Sequence, residues 1–370
     1  MSDLPSVTVC GCGSGGMAMA ADLSLLGCKV SLYEFPDFKD NLDPIRKNGG
    51  IFLTGNTFSG KTGLARLDRI TDDAEEAIQD IDLIMINVPA MAVHRFVEAL
   101  SPYLAEGQTV LATTGYWASL RSRELLEESG VSKKITFVEE NIMPYLSRKT
   151  GPAHAHIYNF KRDMRISAFP ATKNDVAYDV VKKVYPQMKL SKSVLENNFY
   201  PGNPSVHAQI NIPKAEFFFE RAREFRFYGE VSMCASKLAD AFDKERMRVA
   251  AAFDCETPAS SVWFSRTYGY KGENLYEICR DVSCDHAKRW TNDEGNRRVL
   301  REDLCYFFVP MEQLAEVAGI DVPVTKAILE LLQIFTDFDY RANGITLRDL
   351  GLDGLDKAQV IDFVTYGHVR

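Results

Sequence analysis

The sequence predicts a two-domain α/β protein: a doubly wound Rossmann domain over residues 1–190, followed by a mostly α-helical domain over residues 191–370. Three observations carry this. Apolar, β-branched runs alternate with helix-period segments through the first half, the pattern of parallel strands covered on both faces. The first of these runs ends in Gly11-Cys12-Gly13-Ser14-Gly15-Gly16. Beyond about residue 190 strand-like alternation fades and helical spacing takes over. At 370 residues, and with about 150 residues per domain as a length prior, two domains also suit the length.

Val7 to Cys10 reads as a buried strand, and Gly11-x-Gly13-x-x-Gly16 has the dinucleotide-binding spacing. The first glycine permits the turn. The second lets backbone amides approach a diphosphate, and the third lets the following helix pack on the strand. Through Ser14 and Gly15 the chain enters that helix, whose N-terminus favours an anion. Met19, Leu23 and Leu26 mark the helix, and Gly27 stops it. Cys28 to Tyr33 forms a second strand ending at Glu34, where an acid is placed to hold the adenosine ribose. No Arg or Lys follows before Lys39, so NAD (as NADH) is expected and NADP is disfavoured.

Short strands around a polar turn are expected at Gly49–Leu53 and Thr62–Leu67, and Asp72 is the candidate N-cap of an acid-rich helix. Asp82 to Val88 is a continuous apolar strand. Ligands lie beyond the carboxyl ends of such strands, which places Asn87 to Ala90, with Val88 and Pro89 foremost, near the cofactor. Val93, Phe96, Val97 and Leu100 mark the next helix, with His94 off the stripe and expected in solvent. Strands at Thr109–Ala112 and Ile135–Val138 leave through polar exits, Thr113–Trp117 and Glu139–Tyr145, expected to face one crevice. His156–Phe160 and Met164–Phe169 read as an antiparallel extension of the same sheet, and Lys173–Tyr185 as a helix. His154 and His156 share a strand face but lack a third ligand, so they read as a surface pair.

In the second half, Val231, Cys234, Leu238 and Phe242 are expected on one face of a long helix. Val324, Ile328, Leu331, Leu332 and Phe335 line another, and a short helix lies between Pro310 and Gly319. Asn203-Pro204-Ser205-Val206-His207 offers an imidazole able to act as acid or base near neutral pH. On its residues alone a structural histidine is an equal reading. Arg298 to Tyr306 is charge-dense. It contains an arginine fork suited to a carboxylate and an acid able to orient an imidazole, yet alone it reads as a solvated helix face.

The net charge of −8 argues against nucleic acid or an anionic membrane as partner. No apolar run reaches the roughly 18 residues needed to span a bilayer. Met1–Pro5 has no basic signal-peptide region, so a cytoplasmic protein is expected. The eight cysteines form no Cys-x-x-Cys and are expected as core thiols in a reducing compartment. Cys279, Cys284, Asp285 and His286 fit no zinc spacing, so no metal is expected.

Taken together, the chain resembles the opine dehydrogenase family, of the octopine and N-(1-carboxyethyl)-norvaline dehydrogenase kind. The glycine motif and Pro144-Tyr145-Leu146-Ser147-Arg148-Lys149-Thr150-Gly151-Pro152 carry the resemblance in the first half. Asn203-Pro204-x-x-His207, Asn274-Leu275-Tyr276-Glu277, Arg298-x-x-x-Glu302-Asp303 and Asp337-Phe338-Asp339 to Leu350-Gly351-Leu352 carry it in the second. The resemblance spans nearly the whole chain. It implies NADH-dependent reductive condensation of an amino acid or other amine with a 2-oxo acid such as pyruvate. By motif, His207 is then the acid/base, Asp303 its partner and Arg298 the carboxylate clamp, with Asn203, Glu140 and Tyr145 as further substrate contacts. The chain departs from the family pattern at Ala208, where proline is usual, and at Glu140, where a small hydroxyl residue is usual. It departs again at Thr113–Trp117, in place of Asn-Pro-Gly. These departures bear on the substrate, and Glu140 points to one that presents a cation or hydrogen-bond donor.

Two other readings stay open. A plain hydroxy-acid or 2-oxo-acid dehydrogenase on this plan often uses Lys with Asn one turn away, and here the pattern occurs only at Lys271–Asn274 and Lys288–Asn292. An NAD-binding regulatory protein without turnover would have no need of His207, Arg298 and Asp303. Small-molecule substrates are the expected partners, and the sequence is compatible with a homodimer without specifying one.

Overall fold

The computed structural model describes residues 4–128, 130, 134–220, 224–281, 289–290 and 294–370. The chain divides into two compact units, Met1–Val194 and Leu195–Arg370.

In the first unit the strands are β1 (Val7–Cys10), β2 (Val30–Tyr33), β3 (Ile51–Gly55), β4 (Gly63–Ala65), β5 (Arg69–Thr71) and β6 (Leu83–Ile86). They continue as β7 (Thr109–Ala112), β8 (Thr136–Glu140), β9 (Tyr145–Gly151), β10 (His154–Phe160), β11 (Arg165–Phe169) and β12 (Lys189–Leu190). The main sheet has eight strands in the order β12-β11-β8-β7-β6-β1-β2-β5. From β8 to β5 all neighbours are parallel. Every residue of β1, β2, β6, β7 and β8 is buried, which is why most of these strands read as largely apolar runs, β8 apart from its two terminal glutamates. The strand order reverses between β1 and β6, and in such sheets ligands bind beyond the carboxyl ends at that switch point.

Several sequence expectations are corrected here. Of the two runs expected to extend the main sheet only the second does, its Arg165–Phe169 segment forming β11 antiparallel to β8. The His156–Phe160 run belongs to a second sheet of order β4-β3-β10-β9, because Leu53, Ala65, Ala155 and Ile157 bury one face of it. That sheet packs on the Ser14–Leu26 helix. Its alternation was legible, its partner was not. The acid-rich helix Ala74–Ile78 is capped by Asp73, which accepts from the Glu76 N–H at 2.9 Å. Asp72 instead pairs with Arg46 at 2.6 Å. Thr71 is still in register with Tyr33 in the sheet, so the helix starts one residue late. His94 is half-buried rather than solvated: its Nδ1 is buried without a hydrogen bond among the described residues, and burial, with Arg121 nearby, lowers its pKa.

The second unit is helical apart from one two-residue strand pair, Phe225–Arg226 with Arg289–Trp290, among the described residues. Its long helix, Met233–Ala252, is capped by Ser232. Ala235, Ala239, Phe242 and Val249 face inward. Cys234, expected on the buried stripe, is exposed, because alanines one position on let the helix approach its neighbours. Along Pro323–Thr336 the buried positions are Thr325, Ile328, Leu329 and Leu332, and Leu331 is exposed. Buried Glu245 caps this helix, accepting from the Val324 and Thr325 N–H groups at 2.8 Å each and from the Thr325 hydroxyl at 2.7 Å. Among the described residues no helix is long and apolar enough to cross a membrane.

Candidate active site

The glycine turn does three different jobs. Gly11 leaves β1 at φ +100°, and a Cβ there would collide with the Asn87 carbonyl and Val88. At Gly16 a Cβ would overlap the Gly11 carbonyl, so the helix reaches the strand only without a side chain. Gly15 is packed against the Asn87 side chain and the Met143 sulfur. Gly13 differs from all of these. Its backbone, φ −80° and ψ −173°, suits any residue, and nothing lies within 4 Å of where its Cβ would be. The Ser14–Leu26 helix that starts there has no side-chain cap and no acid in its first turn. Open space before uncapped N–H groups fits the diphosphate of a dinucleotide.

The surrounding residues hold this turn in place. Glu34 is buried at the end of β2 and accepts from the Cys12 N–H at 2.8 Å and the Phe35 N–H at 3.0 Å. Each carboxylate oxygen keeps a second lone pair for a ribose hydroxyl, and a 2′-phosphate there would meet a like charge. Ser14 Oγ accepts from the Lys149 N–H at 3.0 Å, tying the turn to β9. Val88 packs on Gly11, and Pro89 stands at the N-cap of the Ala90–Leu100 helix. Sequence reasoning placed Asn87 near the cofactor and assigned it no partner. Its Nδ2 donates to Thr113 Oγ1 at 2.7 Å, linking the ends of β6 and β7 beneath Gly15. The exit from β7 is left-handed at three successive residues, Gly115, Tyr116 and Trp117, with φ of 66°, 59° and 62°. Two bulky residues in that region are rare because Cβ crowds the following carbonyl.

The two acids at the end of β8 part company. Glu139 accepts from the Ser119 N–H at 2.9 Å and the Ser119 hydroxyl at 3.1 Å. Glu140, expected to face a crevice as a substrate contact, is instead fully buried, and neither oxygen has a hydrogen-bond partner among the described residues. Burial holds its carboxyl well above the usual range, and the Lys161 charge only partly offsets this. Lys161, which the sequence did not single out, is itself buried and donates to the Met143 carbonyl at 2.6 Å. Its pKa is pushed down to about 8 by burial, against the raising effect of Glu140. Tyr145, the neighbouring substrate-contact candidate, is fully buried, with its hydroxyl 3.1 Å from that of Tyr185.

In the second unit, Asn203-Pro204-Ser205 forms a single 3₁₀ turn that delivers His207 to the start of the His207–Asn211 helix. Asp303 is the last residue of the Glu294–Asp303 helix. The two meet: His207 Nδ1 lies 2.8 Å from Asp303 Oδ2, both side chains buried, with the Phe227 ring edge-on to the imidazole. A carboxylate on Nδ1 fixes the tautomer and leaves proton exchange to Nε2. A π-helical turn, Leu304–Phe308, follows Asp303 directly, a distortion found often at functional sites. Arg298 lies five residues before Asp303, about 140° round the same helix. It is half-buried and meets Glu302 through Nη1 at 3.3 Å. Asn203 is half-buried in the turn before His207. Among the described residues no group of His, Cys, Asp and Glu could hold a metal. Cys284, Asp285 and His286 lie outside the described residues.

Comparison with known proteins completes the assignment. Residues 190–336 match the family model of the NAD/NADP octopine/nopaline dehydrogenase α-helical domain, and residues 6–156 match the N-terminus of NAD-dependent glycerol-3-phosphate dehydrogenase. An opine dehydrogenase of Arthrobacter sp. (strain 1C) is 29% identical over 364 residues, covering 97% of this chain and 99% of that one. The structure of octopine dehydrogenase with NADH and L-arginine superimposes with a TM-score of 0.77 at 18% identity, covering 99% of each chain. Yersinopine dehydrogenase with NADP+ gives 0.70 at 15% identity, covering 98% of each. The first unit therefore has the dinucleotide-binding fold, the second carries the octopine/nopaline dehydrogenase helical domain, and the chain is an NAD(P)-dependent oxidoreductase similar over nearly its whole length to opine dehydrogenases.

Proposed function

We propose that this enzyme condenses an amino acid or other amine with a 2-oxo acid and reduces the resulting imine to a secondary-amine dicarboxylate. The observation that carries the reading is the buried His207–Asp303 pair, 2.8 Å apart, inside the segment that matches the octopine/nopaline dehydrogenase helical domain. NAD is the preferred cofactor, on Glu34 at the end of β2, and when bound it supplies the hydride. Gly13 and the first turn of the Ser14–Leu26 helix hold its diphosphate. His207 protonates the departing hydroxyl as amine and oxo acid lose water, and takes up or returns a proton through Nε2. Asp303 holds the imidazole's tautomer and offsets its charge when it is protonated. Arg298 receives a substrate carboxylate on its guanidinium fork. The seven described cysteines are free thiols, which supports a reducing, cytoplasmic location.

The test is NADH oxidation with pyruvate alone and with pyruvate plus a panel of amines, with NADPH run alongside. L-arginine belongs in the panel because it is named with NADH in the octopine dehydrogenase structure. Turnover that requires the amine supports the reading. Equal turnover with pyruvate alone makes the enzyme a hydroxy-acid dehydrogenase instead.

A further inference from the structure

The His207–Asn211 helix carries two buried carboxamides with a common peculiarity. Gln209 Nε2 donates to the Pro204 carbonyl at 3.2 Å, and Asn211 Nδ2 donates to the His207 carbonyl at 2.8 Å. Each bond fixes which way its amide points, since a carbonyl needs a donor opposite it. Both oxygens are then left buried without a hydrogen bond among the described residues, and both side chains are fully buried. A bare buried acceptor is unfavourable, and native structures rarely retain one. On this helix Asn211 lies one turn beyond His207, about 40° round, and so shares its face. Gln209, two residues from His207, points to the other side.

We propose that Asn211 Oδ1 is the recognition group for the amine substrate. This rests on the opine-forming reading above. An acceptor pairs only with a donor, and of the two substrates only the amine brings an N–H. The 2-oxo acid offers only acceptors, a carbonyl and a carboxylate, which suit the donor-only fork of Arg298. A primary amine keeps one N–H after condensation, in the iminium and again in the secondary amine. The contact therefore persists from binding through reduction and fixes the nitrogen beside His207. Asn211 is a positioning and specificity residue here, and the proton transfer stays with His207.

Two variants separate this role from a structural one. In Asn211→Ser the hydroxyl still donates to the carbonyl four residues back, while the bare amide acceptor is withdrawn. Asn211→Asp keeps an acceptor and gives up the donor. With pyruvate and the best amine from the panel, Asn211→Ser should raise the KM for the amine roughly 10- to 100-fold. Its KM for pyruvate, NADH affinity and thermal melt should stay near wild type. Asn211→Asp, if it folds, should keep the wild-type amine KM within about threefold. An unchanged amine KM in Asn211→Ser, or a parallel rise for both substrates, overturns the assignment while the opine reading stands. Wild-type enzyme that never requires an amine removes the opine reading itself, and this inference with it.

Discussion

At the scale of single residues, the proposed chemistry turns on a short contact between two buried groups from distant parts of the chain, His207 and Asp303. The contact makes His207→Ala a clean test, because the cofactor turn belongs to the other unit. Turnover should fall about 10²- to 10⁴-fold, the range for a lost general acid/base, while a fluorescence titration shows unchanged NADH affinity. Asp303→Asn keeps the shape but presents an amide to Nδ1. The imidazole then loses its fixed tautomer, and kcat should drop by about 10² or more, with NADH affinity again unaffected. Arg298→Lys keeps the charge and loses the planar fork. It should raise the KM for the 2-oxo acid by roughly tenfold or more and leave the KM for the amine alone. Equal losses for both substrates would assign Arg298 to something other than the oxo-acid carboxylate.

At the scale of elements, the glycine turn yields a prediction that separates binding from folding. Gly13 has an ordinary backbone conformation and no neighbour where its Cβ would stand. Gly13→Ala should therefore melt like the wild type and lose NADH affinity, because the methyl occupies the space kept for the diphosphate. Gly16→Ala should lower the melting temperature, because its Cβ meets the backbone carbonyl of Gly11. Calorimetry and NADH titration on the two variants distinguish these outcomes. The turn and the central strands were legible in the sequence for one reason: each announces itself within a few consecutive residues. Burial on both faces writes β1, β6 and β7 as apolar runs, and the turn needs glycines at fixed spacing. The second sheet was not legible as a partner of the Ser14–Leu26 helix. Pairing of β3 with β10 joins residues about a hundred positions apart, and exposed Phe52 and Tyr158 blur which face is buried. In the site, His207, Arg298 and Asp303 stood out through motif, whereas Lys161, Asn211 and the burial of Glu140 and Tyr145 did not. A lysine or asparagine reads as surface until the fold surrounds it.

At the scale of the whole molecule, stability should depend on pH through one buried pair, and the two single variants should tilt that dependence in opposite directions. Glu140 has its pKa raised in the fold. The folded state then binds more protons than the unfolded one, so this contribution is complete below about 4.5 and is lost as pH rises through the folded value. Lys161 has its pKa depressed from 10.5 to about 8. Its contribution is complete above 10.5 and is lost as pH falls through about 8. In the wild type each charge moderates the other: Lys161 lowers the Glu140 value, and Glu140 raises that of Lys161. Lys161→Met removes the positive charge, leaving Glu140 more reluctant to ionise. The melting temperature should then fall more steeply than in the wild type as pH rises from about 5 to 8. Glu140→Gln leaves Lys161 alone in the same buried setting. Its melting temperature should rise with pH from about 7 to 10, where the unfolded chain holds the proton that the fold rejects. Thermal melts of the full chain at half-unit pH steps read both slopes. If both variants track the wild-type curve, the two groups do not set the pH response. Opposite slopes that cancel in the double variant would locate that response in this pair, on the Lys161 bond to the Met143 carbonyl behind Gly15.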